Sequence, residues 1–255
     1  MKLVALTVIC GALSLLPSAR TAPRSQVDSG SCRSGQVASD GSMIEPMAIR
    51  LINPAYPKKV KKKKMHGQIV LSVTIATDGT VKTASVVSAN PAVAGAALEA
   101  VRRWRYLPAM HNGELIETTQ EVTIDYDFGK HASPPDEQEP GSLSEPPQNL
   151  LQDVADGKLF RVGTGTGIVP PRALSAPDPQ YTEEARREKF GGRVLLCVIV
   201  GTDGESRNVW VARTLGHGLD GSAVETIKHW KFSPAMKNGA PVAAVVNVET
   251  SFDVY

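Results

Sequence analysis

The chain has 255 residues, 42% hydrophobic and 21% charged, with a formal net charge of +2. A near-neutral balance marks no highly charged partner for the chain as a whole, and three cysteines without metal-ligand spacing exclude a zinc framework. The charge is nevertheless unevenly spread. Residues 44–130 carry twelve basic against eight acidic side chains, residues 131–160 one against six, and residues 161–255 eleven against ten.

Residues 1–22 have the pattern of an export signal. Lys2 gives the positive start and Leu3–Leu16 an apolar run of 14 residues, short for a membrane span. Cleavage is expected after Ala22, but Arg20, two residues before it, disturbs the site, so an uncleaved inner-membrane anchor is the alternative to a periplasmic protein. Residues 23–43 are rich in Ser and Gly, without periodicity, and read as a disordered tether.

Ordered structure is expected from about Ile44. Lys58–Met65 suits two helical turns. Gln68–Ala76 is β-branched and partly alternating, as a strand requires. Asp78-Gly79 is a tight turn, and Val81–Val87 is the returning strand. Asn90-Pro91 opens a helix over Val93–Arg103, with Ala94, Ala97, Leu98 and Val101 on one stripe. Arg102, Arg103 and Arg105 crowd its C-terminal end, where cations suit the helix dipole. Asn112-Gly113 turns the chain into a long strand, Leu115–Phe128. There Val122, Ile124, Tyr126 and Phe128 alternate with polar residues, so one face is expected to be buried and the other wet.

Residues 131–160 are Pro-rich and acidic and read as an extended, solvated linker. After them the plan returns. Trp104-Arg-Tyr-Leu-Pro-Ala-Met-His-Asn-Gly113 reappears as Trp230-Lys-Phe-Ser-Pro-Ala-Met-Lys-Asn-Gly239. Tyr56, Gly67 and Thr77-Asp78-Gly79 match Tyr181, Gly192 and Thr202-Asp203-Gly204 at a spacing of 125, and Val122 matches Val248 at 126. Residues 44–130 and 161–255 are therefore two copies of one small unit. The order strand, strand, helix, strand predicts an α+β fold, each copy a three-stranded antiparallel sheet with one main helix (ββαβ). Such a sheet has open edges, and an open edge accepts another strand unless it is blocked.

Both copies resemble the C-terminal domain of TonB. In the second the resemblance rests on Arg172-Ala173-Leu174-Ser175, Pro179-Gln180-Tyr181, Gly192, Asp203-Gly204, Trp230-Lys231-Phe232 and Pro234. In the first it rests on Tyr56-Pro57, Gly67, Asp78-Gly79, Ser88–Ala92, Arg102–Tyr106 and Pro108. The resemblance implies a periplasmic energy-transducer-like module that takes a short extended segment, the TonB box of an outer-membrane transporter, as an added strand beside its last strand. The implied contact residues are Val122, Ile124 and Tyr126 in the first copy, and Val246, Val248 and Thr250 in the second. The extended residues ahead of the family's Tyr add Asn53 with Tyr56 and Asp178 with Tyr181. The partner is then a TonB-box-like peptide or another envelope protein. The chain departs from family transducers in placing its Pro-rich stretch between the copies.

No catalytic constellation, cofactor motif or metal spacing is found. The five histidines pair with no nucleophile, and His217 suits a loop or cap. Gly163–Gly167 has phosphate-loop glycines, but Pro170-Pro171 follows where a helix is needed, so it reads as a lead-in loop. Lys58–Lys64 suits either a solvated face or contact with peptidoglycan or anionic lipid; nucleic acid is excluded by export. Trp104 and Trp230, at equivalent helix ends, are expected in the core. Cys197 either pairs with Cys32 or is a small buried hydrophobe, and its apolar surroundings favour the second. Besides strand capture, a structural scaffold is open, formed by edge pairing between copies or in a homodimer.

Overall fold

A computed structural model describes residues 42–128, 145–163 and 166–253. The leader, most of the tether, Cys32 and residues 131–144 of the expected linker lie outside them. The chain forms a mixed helix and sheet fold with several antiparallel sheets and few helices.

The first lobe runs β1 (Met43–Ile44), β2 (Met47–Arg50), α1 (Lys58–Lys62), β3 (His66–Ile75), β4 (Val81–Ser88), α2 (Pro91–Val101), β5 (Arg105–Leu107), β6 (Ala109–His111), β7 (Glu114–Ile116) and β8 (Thr118–Asp127). Then come α3 (Leu150–Ala155) and β9 (Phe160–Arg161). The second lobe has β10 (Ile168–Val169), β11 (Arg172–Ser175), α4 (Glu183–Arg187), β12 (Gly192–Val200), β13 (Ser206–Arg213), α5 (Leu219–Lys228), β14 (Lys231–Ser233), β15 (Ala235–Lys237), β16 (Ala240–Val242) and β17 (Ala244–Phe252).

In the first lobe β3 lies between β4 and β8, antiparallel to both. Ile69, Leu71, Val73 and Ile75 alternate onto one face and pack with Val93, Ala97 and Val101 of α2. Asn90 caps that helix, its Oδ1 accepting the Ala92 N–H at 3.0 Å, and Pro91 supplies the preset first turn. Trp104 and Trp230 lie in their cores, as their placing suggested. Each indole donates to the segment before the matched Tyr, Trp104 to the Ile52 carbonyl at 2.9 Å and Trp230 to the Pro177 carbonyl at 3.0 Å.

The second lobe differs from its counterpart on the face away from the helix. In β3 that face carries Gln68, Ser72 and Thr74; 125 residues on, β12 has Arg193, Cys197 and Ile199. Ser85 of β4 is replaced by Trp210 in β13. Past Arg193 at its start, the central sheet of the second lobe is thus apolar on both sides and is covered on both sides. One face packs on α5. The other joins Cys197, Trp210, Ala212 and Val245 to Leu107 and Met110 of the first lobe and to Leu150, Val154 and Leu159 around α3. The Trp210 indole donates to the Ile49 carbonyl at 3.0 Å, and Cys197 is a free, fully buried thiol near the Ala48 carbonyl. The two lobes therefore share a core.

That core changes the account of residues 145–160, expected to be solvated. Their Pro and Glu residues hide an apolar set: Leu150 and Val154 fall on the buried side of α3, and Leu159, after the helix, is buried with them. Directly after it, β9 lies parallel to the start of β17, Phe160 beside Ala244 and Arg161 beside Val245. Arg161 is only 3% exposed, and its guanidinium donates to the backbone carbonyls of Pro108 and Glu45 in the first lobe. Burial lowers its pKa to about 10, which leaves it cationic at neutral pH. Losing two charge-assisted bonds and stranding two carbonyls outweighs the relieved desolvation, so Arg161→Ala is expected to cost about 2–4 kcal/mol. Urea denaturation followed by tryptophan fluorescence measures that loss.

Candidate functional site

The sheet edges are the feature to which the expected partner contacts refer, and the two lobes treat them differently. In the second lobe the order is β13-β12-β17-β9. The β17 edge is occupied by β9 at Ala244 and Val245, and the Phe160 N–H extends this to the Ala243 carbonyl at 2.9 Å. On the opposite side, Leu51 of the first lobe bridges to Arg213 and donates its N–H to the Ala212 carbonyl. Among the described residues, the later part of β17 and the part of β13 before Ala212 have no strand on their outer side.

In the first lobe β8 pairs with β3 from Thr118 to Ile75 through Asp127 to His66, and no described strand pairs with its other side. This is ten residues of open main chain. Along it Glu121, Thr123, Asp125 and Asp127 are exposed, while Val122 and Ile124 are half-buried. Their alternation divides the edge into an acidic, polar side and an apolar side. Val248, which matches Val122, is 1% exposed, and Thr250, which matches Ile124, is 5% exposed. Val246 is buried too. The second lobe has drawn its strand inward, whereas the first leaves equivalent positions reachable.

The residues before the matched tyrosines also diverge. Asn53 faces the second lobe, its Nδ2 donating to the Thr214 carbonyl and to Thr214 Oγ1, both at 3.1 Å. It acts as a clasp between lobes. Asp178 is exposed. Tyr181 donates to the Phe190 carbonyl at 3.0 Å and meets Phe252 edge-on at 5.6 Å. Tyr56 belongs to an aromatic group at the end of β8, 5.2 Å from Phe128 and 5.9 Å from Tyr126 between ring centres. Its hydroxyl is buried without a hydrogen-bond partner, and burial pushes its pKa far above the usual tyrosine range. Tyr126 itself is buried. Thus β8, Tyr56 and Tyr126 gather at one edge, and Asn53 and Asp178 do not join them.

The chemistry that remains is sparse. Glu184, Glu188 and His217 bring three donor atoms within 4.8 Å, the His217 Nδ1 lying 3.5 Å from Glu188 and 3.7 Å from Glu184. Both carboxylates are exposed, the imidazole stacks on Phe190 with ring centres 4.0 Å apart, and Thr182 Oγ1 fixes the His217 carbonyl at 2.6 Å. After Gly163 the chain enters β10, so no helix follows the glycine loop. In α1 Val60 is buried, and Lys58, Lys59 and Lys62 are exposed. No described helix is long and apolar enough to cross a membrane.

Sequence reading missed Trp210, Arg161 and Arg50. Aligning the copies residue by residue, and asking where an apolar side chain replaces Ser or Thr, would have found Trp210.

Residues 52–128 and 177–254 match the family described as Gram-negative bacterial TonB protein C-terminal. Protein TonB of Vibrio cholerae serotype O1 is 33% identical over 84 residues, which are 32% of this chain and 34% of that protein, so the chain spans about a third of the length of this curated relative. Among solved structures, the solution structure of the Pseudomonas aeruginosa TonB CTD is 22% identical and covers 33% of this chain and 85% of its own, with a TM-score of 0.26. The TonB2 protein from Vibrio anguillarum is 29% identical and covers 42% and 97%, with a TM-score of 0.27.

Proposed function

The chain belongs to the Gram-negative TonB C-terminal family, and on that premise we propose that it is a non-enzymatic TonB-type binding protein of the cell envelope, linked to energy transduction and transport. Its β8 edge captures an extended segment of an outer-membrane transporter, or of another envelope protein, by strand addition. The observation that carries this is the ten-residue open edge of β8 with half-buried Val122 and Ile124 beside it. Main-chain bonding supplies affinity, and the alternating side chains supply selection. A fitting segment places apolar residues against Val122 and Ile124 and basic or polar residues against Glu121 and Asp125. The partly capped β17 is a secondary acceptor. Export to the periplasm through residues 1–22 belongs to the same proposal.

NMR titration of the full chain with TonB-box peptides tests it. Amide shifts are expected along Thr118–Asp127, and Val122→Lys is expected to weaken binding about tenfold, or ~1.4 kcal/mol. Shifts confined to β17, or none, would sink the assignment to β8.

A scaffold role has one supporting observation, the core shared by the two lobes. It concerns pairing within the chain. Peptidoglycan or lipid contact through Lys58–Lys64, and a homodimer, are supported by charge and by the open edge alone.

A further inference from the structure

We propose that the first lobe carries an anion site, a cleft lined by Arg50, Arg102, Arg103 and Arg105 that binds a phosphate group. The cleft has a volume of about 260 Å3, with Ile52 as its apolar wall. Three different elements build it. Arg50 ends β2 and stands opposite Arg105 of β5 in the antiparallel pair, while Arg102 and Arg103 follow the last turn of α2. Like charges directly opposite each other on paired strands repel. Nothing in the fold requires the four guanidiniums to meet.

They also make no ion pair among the described residues, and all four are exposed. Arg105 donates one Nη1 bond to the Trp104 carbonyl at 2.9 Å. The nearby carboxylate Asp78 feels its charge, but Asp78 Oδ1 is already held by the Thr80 N–H and hydroxyl at 2.8 and 2.6 Å. The helix dipole accounts for cations at Arg102 and Arg103. It does not account for Arg50 and Arg105, which lie on strands.

The second lobe provides an internal control. Its corresponding residues are Ser175, Lys228, His229 and Lys231. Ser175 is neutral; Lys228 pairs with Glu225 at 2.6 Å, and Lys231 pairs with Glu205 at 2.6 Å. The first lobe has Thr80 where the second has Glu205. Glu99, which matches Glu225, makes no ion pair with the arginines. One lobe has thus neutralised this corner, and the other has concentrated positive charge there in side chains that present forks of donors. Several forks converging from different elements suit a tetrahedral oxyanion with oxygens in several directions, as phosphate has, better than a planar carboxylate.

The phosphate is either free or the headgroup of an anionic lipid, and two arms of one experiment separate these. The first titrates inorganic phosphate into the full chain at constant ionic strength, against chloride, and follows the arginine Nε–Hε and Trp104 indole resonances. The second sediments the chain with phosphatidylglycerol vesicles, with phosphatidylcholine vesicles as blank, and adds phosphate as competitor. Saturable phosphate shifts are expected, weakened about tenfold or more in the exposed double variant Arg50→Gln/Arg103→Gln and unchanged in Lys228→Gln/Lys231→Gln. Shifts without sedimentation assign a free anion, and sedimentation reversed by phosphate assigns a headgroup. The proposal is overturned by a phosphate response no different from chloride or by equal phosphate binding in the arginine variant, and the headgroup assignment by vesicle binding that the arginine variant retains in full.

Discussion

Trp210→Ala is expected to lower the unfolding free energy by about 3–5 kcal/mol, the range for removing a fully buried tryptophan. The indole is 0% exposed and sits where β13 meets β2, and its removal also strands the Ile49 carbonyl. The loss falls on the contact between lobes as well as on the second lobe. Urea denaturation should therefore show a lower midpoint and two separated transitions in place of one. Ser85→Ala at the matching position of the first lobe is exposed and should shift the midpoint little. If Trp210→Ala behaves like Ser85→Ala, the lobes do not share a core in solution.

The second large effect concerns a glycine that both lobes use in the same way. Gly79 and Gly204 have φ of +79°. A Cβ on Gly79 would lie 2.0 Å from the Tyr106 carbonyl oxygen, and one on Gly204 would lie 2.0 Å from that of Phe232. The close approach exists because the turn is fastened to the strand after the helix: the Tyr106 N–H donates to the Gly79 carbonyl, and the Phe232 N–H to the Gly204 carbonyl, both at 2.9 Å. The obstructing atom is backbone, so it cannot swing aside. Each Gly→Ala change combines positive-φ strain with that collision and is expected to cost about 4 kcal/mol or more. Amide hydrogen exchange locates the damage. Gly79→Ala should deprotect β3, β4 and β5 first, and Gly204→Ala β12, β13 and β14. Native-like protection in either variant would refute the steric account.

These glycines were visible in the sequence as hairpin turns, but their fastening to Tyr106 and Phe232 was not. The division is general here. Local pattern gave β3, β4 and α2 and their counterparts, because alternation, the Asn90 cap and the Asp-Gly turns are written over a few residues; the closing strand, expected as one run over Leu115–Phe128, is instead broken into β7 and β8. It missed what depends on distant partners. Cys197 and Ile199 in place of Ser72 and Thr74 signalled that the second sheet is covered on both faces, yet only the fold says that the cover comes from β2, Leu107, Met110 and α3. Residues 145–160 were misjudged because average composition outweighed the spacing of Leu150, Val154 and Leu159. For the candidate site, the strands were legible, and which edge stays open was not. Edge occupancy depends on Phe160 and Leu51, which pair with Ala244 and Arg213, far from them in the chain. Arg50 escaped for the same reason: only the β2–β5 register brings it to the arginines after α2.

The shared core also imposes an order of events on a newly made chain. The first lobe emerges ahead of its cover, whether from synthesis or from export, with Ile44, Met47, Ile49, Leu107 and Met110 set to meet a surface that has not yet emerged. Until β12 and β13 arrive, that patch is a hazard for association between nascent chains. Refolding from denaturant should accordingly contain a late docking phase after each sheet has formed. Above a threshold concentration, yield should fall most in variants that slow the second lobe.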